Sequence, residues 1–283
     1  MNLPDIAIIN FSDLPDSEVQ DTVRVINRQV IEDFMPIWGS GYICKLHASV
    51  FDPGTPEEIQ NDPAQAEGVI YLVNEASVQG ALGYHDLNNA EVPVGFVFTN
   101  LPDWTVTLSH EVLELIVDPT VNILVPGPDP RVPNDPNAWL LHTYEVCDAV
   151  ERSIYSIDGI EVSNFVTPTY FSDGDAPGTR NDFLGVGVNS FGVTPGSHLG
   201  TVDPTTWDWV TIFGSEHASE AANTHRAAEF NRKGHRIRPD EKIESLMSAY
   251  HAHHPKQCTG LQHLTAFSRS RRKQIAIERR GCK

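Results

Sequence analysis

No run of apolar residues in the 283-residue chain approaches the roughly 18 that a membrane-spanning helix requires, so an α-helical membrane protein is excluded. Cysteine is scarce. Cys44, Cys147, Cys258 and Cys282 stand at irregular spacings and form no disulfide framework. The opening residues Met1 to Asp5 place no basic residue ahead of an apolar stretch, which predicts no secretory signal and a cytoplasmic location. Phosphate-binding loops are missing as well: there is no GxxxxGK[ST] and no GxGxxG after a strand, and no GxSxG nucleophile turn appears.

Basic residues are lacking over most of the chain. Residues 231–283 hold 13 of the 20 Lys and Arg and only 4 of the 38 Asp and Glu, which leaves 7 basic against 34 acidic side chains in residues 1–230. A body this acidic repels nucleic acid and anionic lipid. The basic end, with Arg269, Arg271, Arg272, Lys273, Arg279 and Arg280, is expected to be a flexible tail that docks on an acidic surface of its own or a neighbouring chain.

What remains is globular in composition, with 40% apolar residues and five Trp. The sequence predicts one α+β domain over residues 1–230 followed by the tail over 231–283. Ile6 to Ile9 reads as a strand. Val19, Val23, Ile26, Val30 and Phe34 then fall at helical spacing until Pro36 and Gly39. Strand-like runs follow at 42–51, 68–74, 80–85 and 92–99, and a helix is expected from Trp104 to Asp118. Six prolines in residues 119–136 predict an irregular excursion, and a hairpin should turn at Asp158-Gly159. Residues 172–206 read as loops, with an Asp-rich stretch from Ser172 to Ala176 able to hold a structural calcium.

The helix from Trp104 carries the chemistry. At 100° per residue, His110, Glu114, Asp118 and Glu111 fall within one stripe about 100° wide, and apolar side chains occupy most of the remainder. A helix apolar around most of its girth is buried. Burying three carboxylates and an imidazole together is costly without a cation, and a metal ion is the simplest one where Lys and Arg are so few.

The stripe spells His110-Glu111-Val112-Leu113-Glu114, a variant of HExxH in which the second ligand position holds a carboxylate. With the preceding helix, strands and the run Val94 to Phe98, it resembles the zincin metallopeptidases over roughly residues 1–150. That resemblance implies a zincin-like mixed sheet with an N-terminal helix. It implies one zinc held by His110 and Glu114, Glu111 as general base, and a peptide or protein substrate lying along an edge strand from Val92 to Thr99.

A later carboxylate ligand is implied at Glu145, because Tyr144-Glu145-Val146-Cys147-Asp148 is similar to a second zincin motif with Asp148 as an outer partner. His142 is the substitute for Glu145, and Cys147 could ligate instead. His85-Asp86 and the tail cluster His251, His253, His254 and Cys258 are weaker candidates, expected to be structural or adventitious. Three functions stay open: a zinc-dependent peptidase, a catalytically inactive metal-stabilised protein with a binding or assembly role, and an acidic scaffold.

Overall fold

The computed structural model describes residues 3–47, 66–74, 82–87, 92–120, 122–172 and 174–214. The expected tail, with its histidine cluster and basic end, lies outside the described residues. Helix and sheet are mixed as expected for an α+β protein, and the described residues divide into two compact units.

The first unit is built on a five-stranded sheet in the order β2-β1-β3-β5-β4. Its strands are β1 (Asp5–Phe11), β2 (Ile43–His47), β3 (Gly68–Val73), β4 (Gly83–Leu87) and β5 (Pro93–Phe98). Only β4 runs antiparallel, against β5. The middle strands are apolar on both faces, as buried parallel strands require, and every residue of β5 is buried. Rings line one face across the register: Tyr71 stacks on Phe96 at 5.4 Å, and Tyr84 meets Phe96 at 5.1 Å.

This order corrects one expectation. The strand from Val92 to Thr99 is β5, and it lies between β3 and β4, so it is no edge. Its continuous apolar run needs cover on both sides. Among the described strands, the half-buried, more polar Gly83–Leu87 stands last in the order.

At the opposite edge, α1 (Asp16–Arg28) closes off β2. Asn27 Nδ2 donates to the Cys44 carbonyl at 2.9 Å, and Asn27 Oδ1 accepts the Cys44 N–H at 2.7 Å. Ile43 N–H points the other way, to Pro4 of the β1 side, so the Asn27 amide takes the backbone groups that a further strand would take.

The second unit begins at Arg28. A π-helix, Gln29–Phe34, leads into the short α2 (Met35–Trp38), which ends on Gly39 in the left-handed region at φ 72°. Helical structure therefore passes through Pro36. Met35 N–H bonds back to the Val30 carbonyl in the wider π pattern, and Pro36 sits in the first turn of the new segment, where a missing N–H costs little.

Four antiparallel strands make this unit's main sheet, in the order β11-β10-β7-β6. They are β6 (Leu124–Pro128), β7 (Trp139–Thr143), β10 (His198–Val202) and β11 (Trp209–Phe213). The Pro-rich excursion is thus partly a strand, contrary to expectation. Pro126 and Pro128 share one parity on the edge strand β6, and the flanking bonds Asp129 N–H to Ala138 and Tyr144 N–H to Ile123 carry the opposite parity. The prolines occupy the positions where no ladder N–H is needed.

The hairpin β8 (Ile154–Ile157) and β9 (Ile160–Ser163) turns at Asp158 and Gly159, both at positive φ, as a two-residue turn of this hand demands. In the Asp-rich loop, Asp175 Oδ1 accepts Asn181 Nδ2 at 2.5 Å and Ser190 N–H at 3.2 Å, so amide groups fasten it. Asp173 lies outside the described residues.

Candidate metal centre

Helix α3 (Trp104–Val117) holds the site, and most of its girth is buried, as its apolar wheel requires. Two hydroxyls fasten it along β9. Thr105 Oγ1 donates to the Glu161 carbonyl at 2.9 Å, and Ser109 Oγ accepts the Ser163 N–H at 2.7 Å. Asp118 is buried at the helix end, where Oδ2 accepts Ile123 N–H at 2.8 Å and Oδ1 accepts Thr120 Oγ1 at 3.0 Å. It shapes the turn that follows.

His110 and Glu114 meet one helical turn apart, with His110 Nε2 3.1 Å from Glu114 Oε2. The other oxygen of Glu114 accepts the Cys147 N–H at 3.1 Å. That bond draws in the segment after β7, which turns through a 3-10 helix at Asp148–Val150 and sets Asp148 Oδ1 3.2 Å from the same His110 nitrogen. Ligand atoms of His110, Glu114 and Cys147 lie within 4.8 Å of one another. Glu111, on the same helix, is buried at 4% exposure.

The network continues outward. His198, the first residue of β10, places Nε2 3.3 Å from Asp148 Oδ2 and Nδ1 3.1 Å from Glu151 Oε2. Burial alone would lower both imidazole pKa values, but the carboxylates outweigh it. For His198, Asp148 and then Glu151 bring the value to about 9. For His110, Glu114 leads, with Cys147 and Asp148 behind it, and the result stands well above the ordinary imidazole range. Burial pushes the Cys147 thiol up, against the opposing pull of His110.

His110, Glu114 and Cys147 form a group that could hold a metal ion. Imidazole nitrogen, carboxylate oxygen and thiolate sulfur are donors that divalent transition metals accept. His110 Nε2 faces two carboxylate oxygens at 3.1 and 3.2 Å, yet one N–H can point squarely at only one of them.

Of the residues expected from sequence, His110 and Glu114 are therefore brought together, with Cys147 and Asp148 beside them. Glu145 is half-buried between β7 and the 3-10 turn and is not among the three residues whose ligand atoms converge there. His142 is buried elsewhere in the unit, with Nε2 3.0 Å from the Pro128 carbonyl and its ring 4.8 Å from Phe191. His85 is buried on β4, opposite Gly95.

His198 and Glu151 were not legible beforehand. His198 opens a strand interrupted by Gly200, inside a stretch rich in turn residues, and the strand is buried from Leu199 to Val202 with no alternation to mark it. No protein-family model, curated protein or solved structure matches the chain.

Proposed function

We propose that the chain is a zinc-dependent metallopeptidase of zincin-like architecture. The observation that carries this reading is the buried meeting of His110 Nε2 with Glu114 Oε2 at 3.1 Å and Asp148 Oδ1 at 3.2 Å, on the helix that also carries Glu111. His110 and Glu114 would hold the ion. Cys147, whose sulfur converges with the ligand atoms of His110 and Glu114, would take the third position in place of Glu145, with Asp148 as an outer partner of His110. Zinc bound there supplies Lewis acidity, polarising a carbonyl and making a water acidic enough to attack near neutral pH. Glu111 accepts the proton of that water at its carboxylate and delivers it to the leaving amine.

One observation favours a second reading. A carboxylate at position 114 in place of an imidazole puts more negative charge on the ion and weakens it as a Lewis acid. That suits a metal-stabilised protein with a binding or assembly role. Zinc content by elemental analysis, together with cleavage of a mixed peptide library followed by mass spectrometry, separates the two. The peptidase reading expects about one zinc at the site in the parent and in Glu111→Gln, with turnover falling by roughly 10²–10⁴-fold in the variant. Full turnover in Glu111→Gln refutes the mechanism, and zinc without turnover in the parent supports the second reading.

A further inference from the structure

Three of the chain's five Trp stand exposed at one end of the β11-β10-β7-β6 sheet: Trp139 and Trp209 at 42% and Trp207 at 70%. Val202 pairs with both Leu141 and Trp209, so these side chains share a face, and Trp139, two residues from Leu141, shares it too. Two strand spacings and a two-residue rise set Trp139 and Trp209 about 12 Å apart. Trp207 lies in the turn that joins β10 to β11. Hydrogen bonds hold two of the rings in place. Trp139 Nε1 donates to the Pro136 carbonyl at 2.9 Å, and Trp209 Nε1 donates to Thr211 Oγ1 at 3.3 Å. A Cβ on Gly200 would stand 2.9 Å from the Trp209 ring, so this indole reaches across β10 where that strand has no side chain.

Trp207 has φ 62°, in the left-handed region that suits glycine and strains a bulky residue. Its N–H closes the turn on the Asp203 carbonyl at 2.8 Å. Neither backbone preference nor burial accounts for tryptophan there, whereas contact with a ligand does. Charge narrows the choice of ligand. The side chains that share the face around the rings, Pro126, Pro128, Leu141, Thr143 and Val202, are uncharged. At the rim Arg131 Nη2 is neutralised by Asp129 Oδ2 at 2.6 Å, and the Asp203–Asp208 pair takes the opposite parity of the ladder. With a net charge of −18, a second copy or an anionic polymer would meet like charge. A polycation would need carboxylates beside the rings. An uncharged chain of sugars fits: pyranose rings stack their C–H faces on flat indoles, and β-1,4 linkage makes a flat ribbon long enough to span the rings.

We propose that Trp139, Trp207 and Trp209 form a platform that binds an uncharged β-1,4-linked polysaccharide of the cellulose or chitin kind. The platform goes beyond the metal centre and stands whether or not that centre binds zinc.

The test is depletion of the full-length protein from solution by microcrystalline cellulose and by chitin, in dilute buffer and in about 1 M salt. Parent, Trp139→Ala and Trp207→Gly are compared, with circular dichroism as the check on folding and sedimentation velocity as the check on oligomeric state. Glycine suits the backbone at position 207, so that variant keeps its fold and tests the ring alone. The parent should bind at least one of the two polymers at both salt concentrations, and each variant should bind it about 10-fold more weakly. If Trp139→Ala does not fold, the Trp207→Gly result decides. Depletion of the parent by neither polymer overturns the proposal, as does equal binding by the parent and folded Trp207→Gly. Binding that salt abolishes belongs to charged groups such as the basic end of the chain, and overturns it too. Self-association of the parent that the folded variants lose, without binding to either polymer, assigns the face to a second copy and overturns it likewise.

Discussion

Glu114 has two roles that substitution can separate. One carboxylate oxygen accepts the Cys147 N–H at 3.1 Å, and the other faces His110 Nε2 at 3.1 Å, both in surroundings where Glu114 is 2% exposed and Cys147 fully buried. Glu114→Ala strands the buried Cys147 amide, while His110 Nε2 keeps Asp148 Oδ1 at 3.2 Å. An unmet buried amide costs about 1–3 kcal/mol, so the metal-free protein should lose about 2 kcal/mol. Glu114→Gln keeps an oxygen for the Cys147 N–H and should cost about 1 kcal/mol.

The two variants should therefore differ by about 1 kcal/mol, a gap of about 2–4 °C in the melting temperature of a domain this size. In zinc affinity they should instead be alike, both weakened by about 100-fold or more, because neither supplies an anionic ligand. Thermal unfolding of the chelator-treated protein measures the first quantity and competition titration the second. Equal melting temperatures would refute the account of the Cys147 contact. Parent-like zinc binding by Glu114→Gln would refute the ligand assignment.

Two further outcomes concern the first unit. Asn27→Ala removes both hydrogen bonds to the Cys44 backbone and should destabilise the protein by about 2 kcal/mol. Chemical denaturation checks this, and Asn27→Asp, which keeps only the acceptor, should fall between it and the parent. His47 has a pKa lowered to about 4 by burial and then by Lys45. Its folded value lies below the ordinary value, so the unfolded chain takes up the proton first. The stabilisation is complete above about pH 6.5 and declines as pH falls toward 4. After allowance for solvent screening it amounts to about 1–2 kcal/mol, and His47→Gln should flatten that part of the stability profile. A profile identical in parent and variant would show that His47 takes no part.

Much of the architecture could be read from local pattern. The buried α3 followed from a wheel that is apolar around most of its girth, and the Asp158-Gly159 hairpin from the one turn chemistry that suits two-residue loops. The strands of the first unit were visible because buried parallel strands are continuous apolar runs. The order of those strands was not. A strand such as β5 looks the same in the middle of a sheet or beside its edge, and only pairing with β4 decides the matter. The strand β6 was hidden because proline forbids a ladder N–H only at alternate positions, and the parity of Pro126 and Pro128 is a property of the partner strand.

By itself, the sequence determined the acidic body, the pairing of His110 with Glu114 on one helix face and the burial of that face, since each depends on composition or on the 3.6-residue period. The tertiary structure alone decided which carboxylate faces His110 and where a second imidazole stands. Asp148 and His198 are remote from His110 in sequence. They reach the site through the Cys147 N–H bond to Glu114 and the pairing of β10 with β7. Contacts of that kind depend on how strands and turns pack, and no local periodicity encodes them.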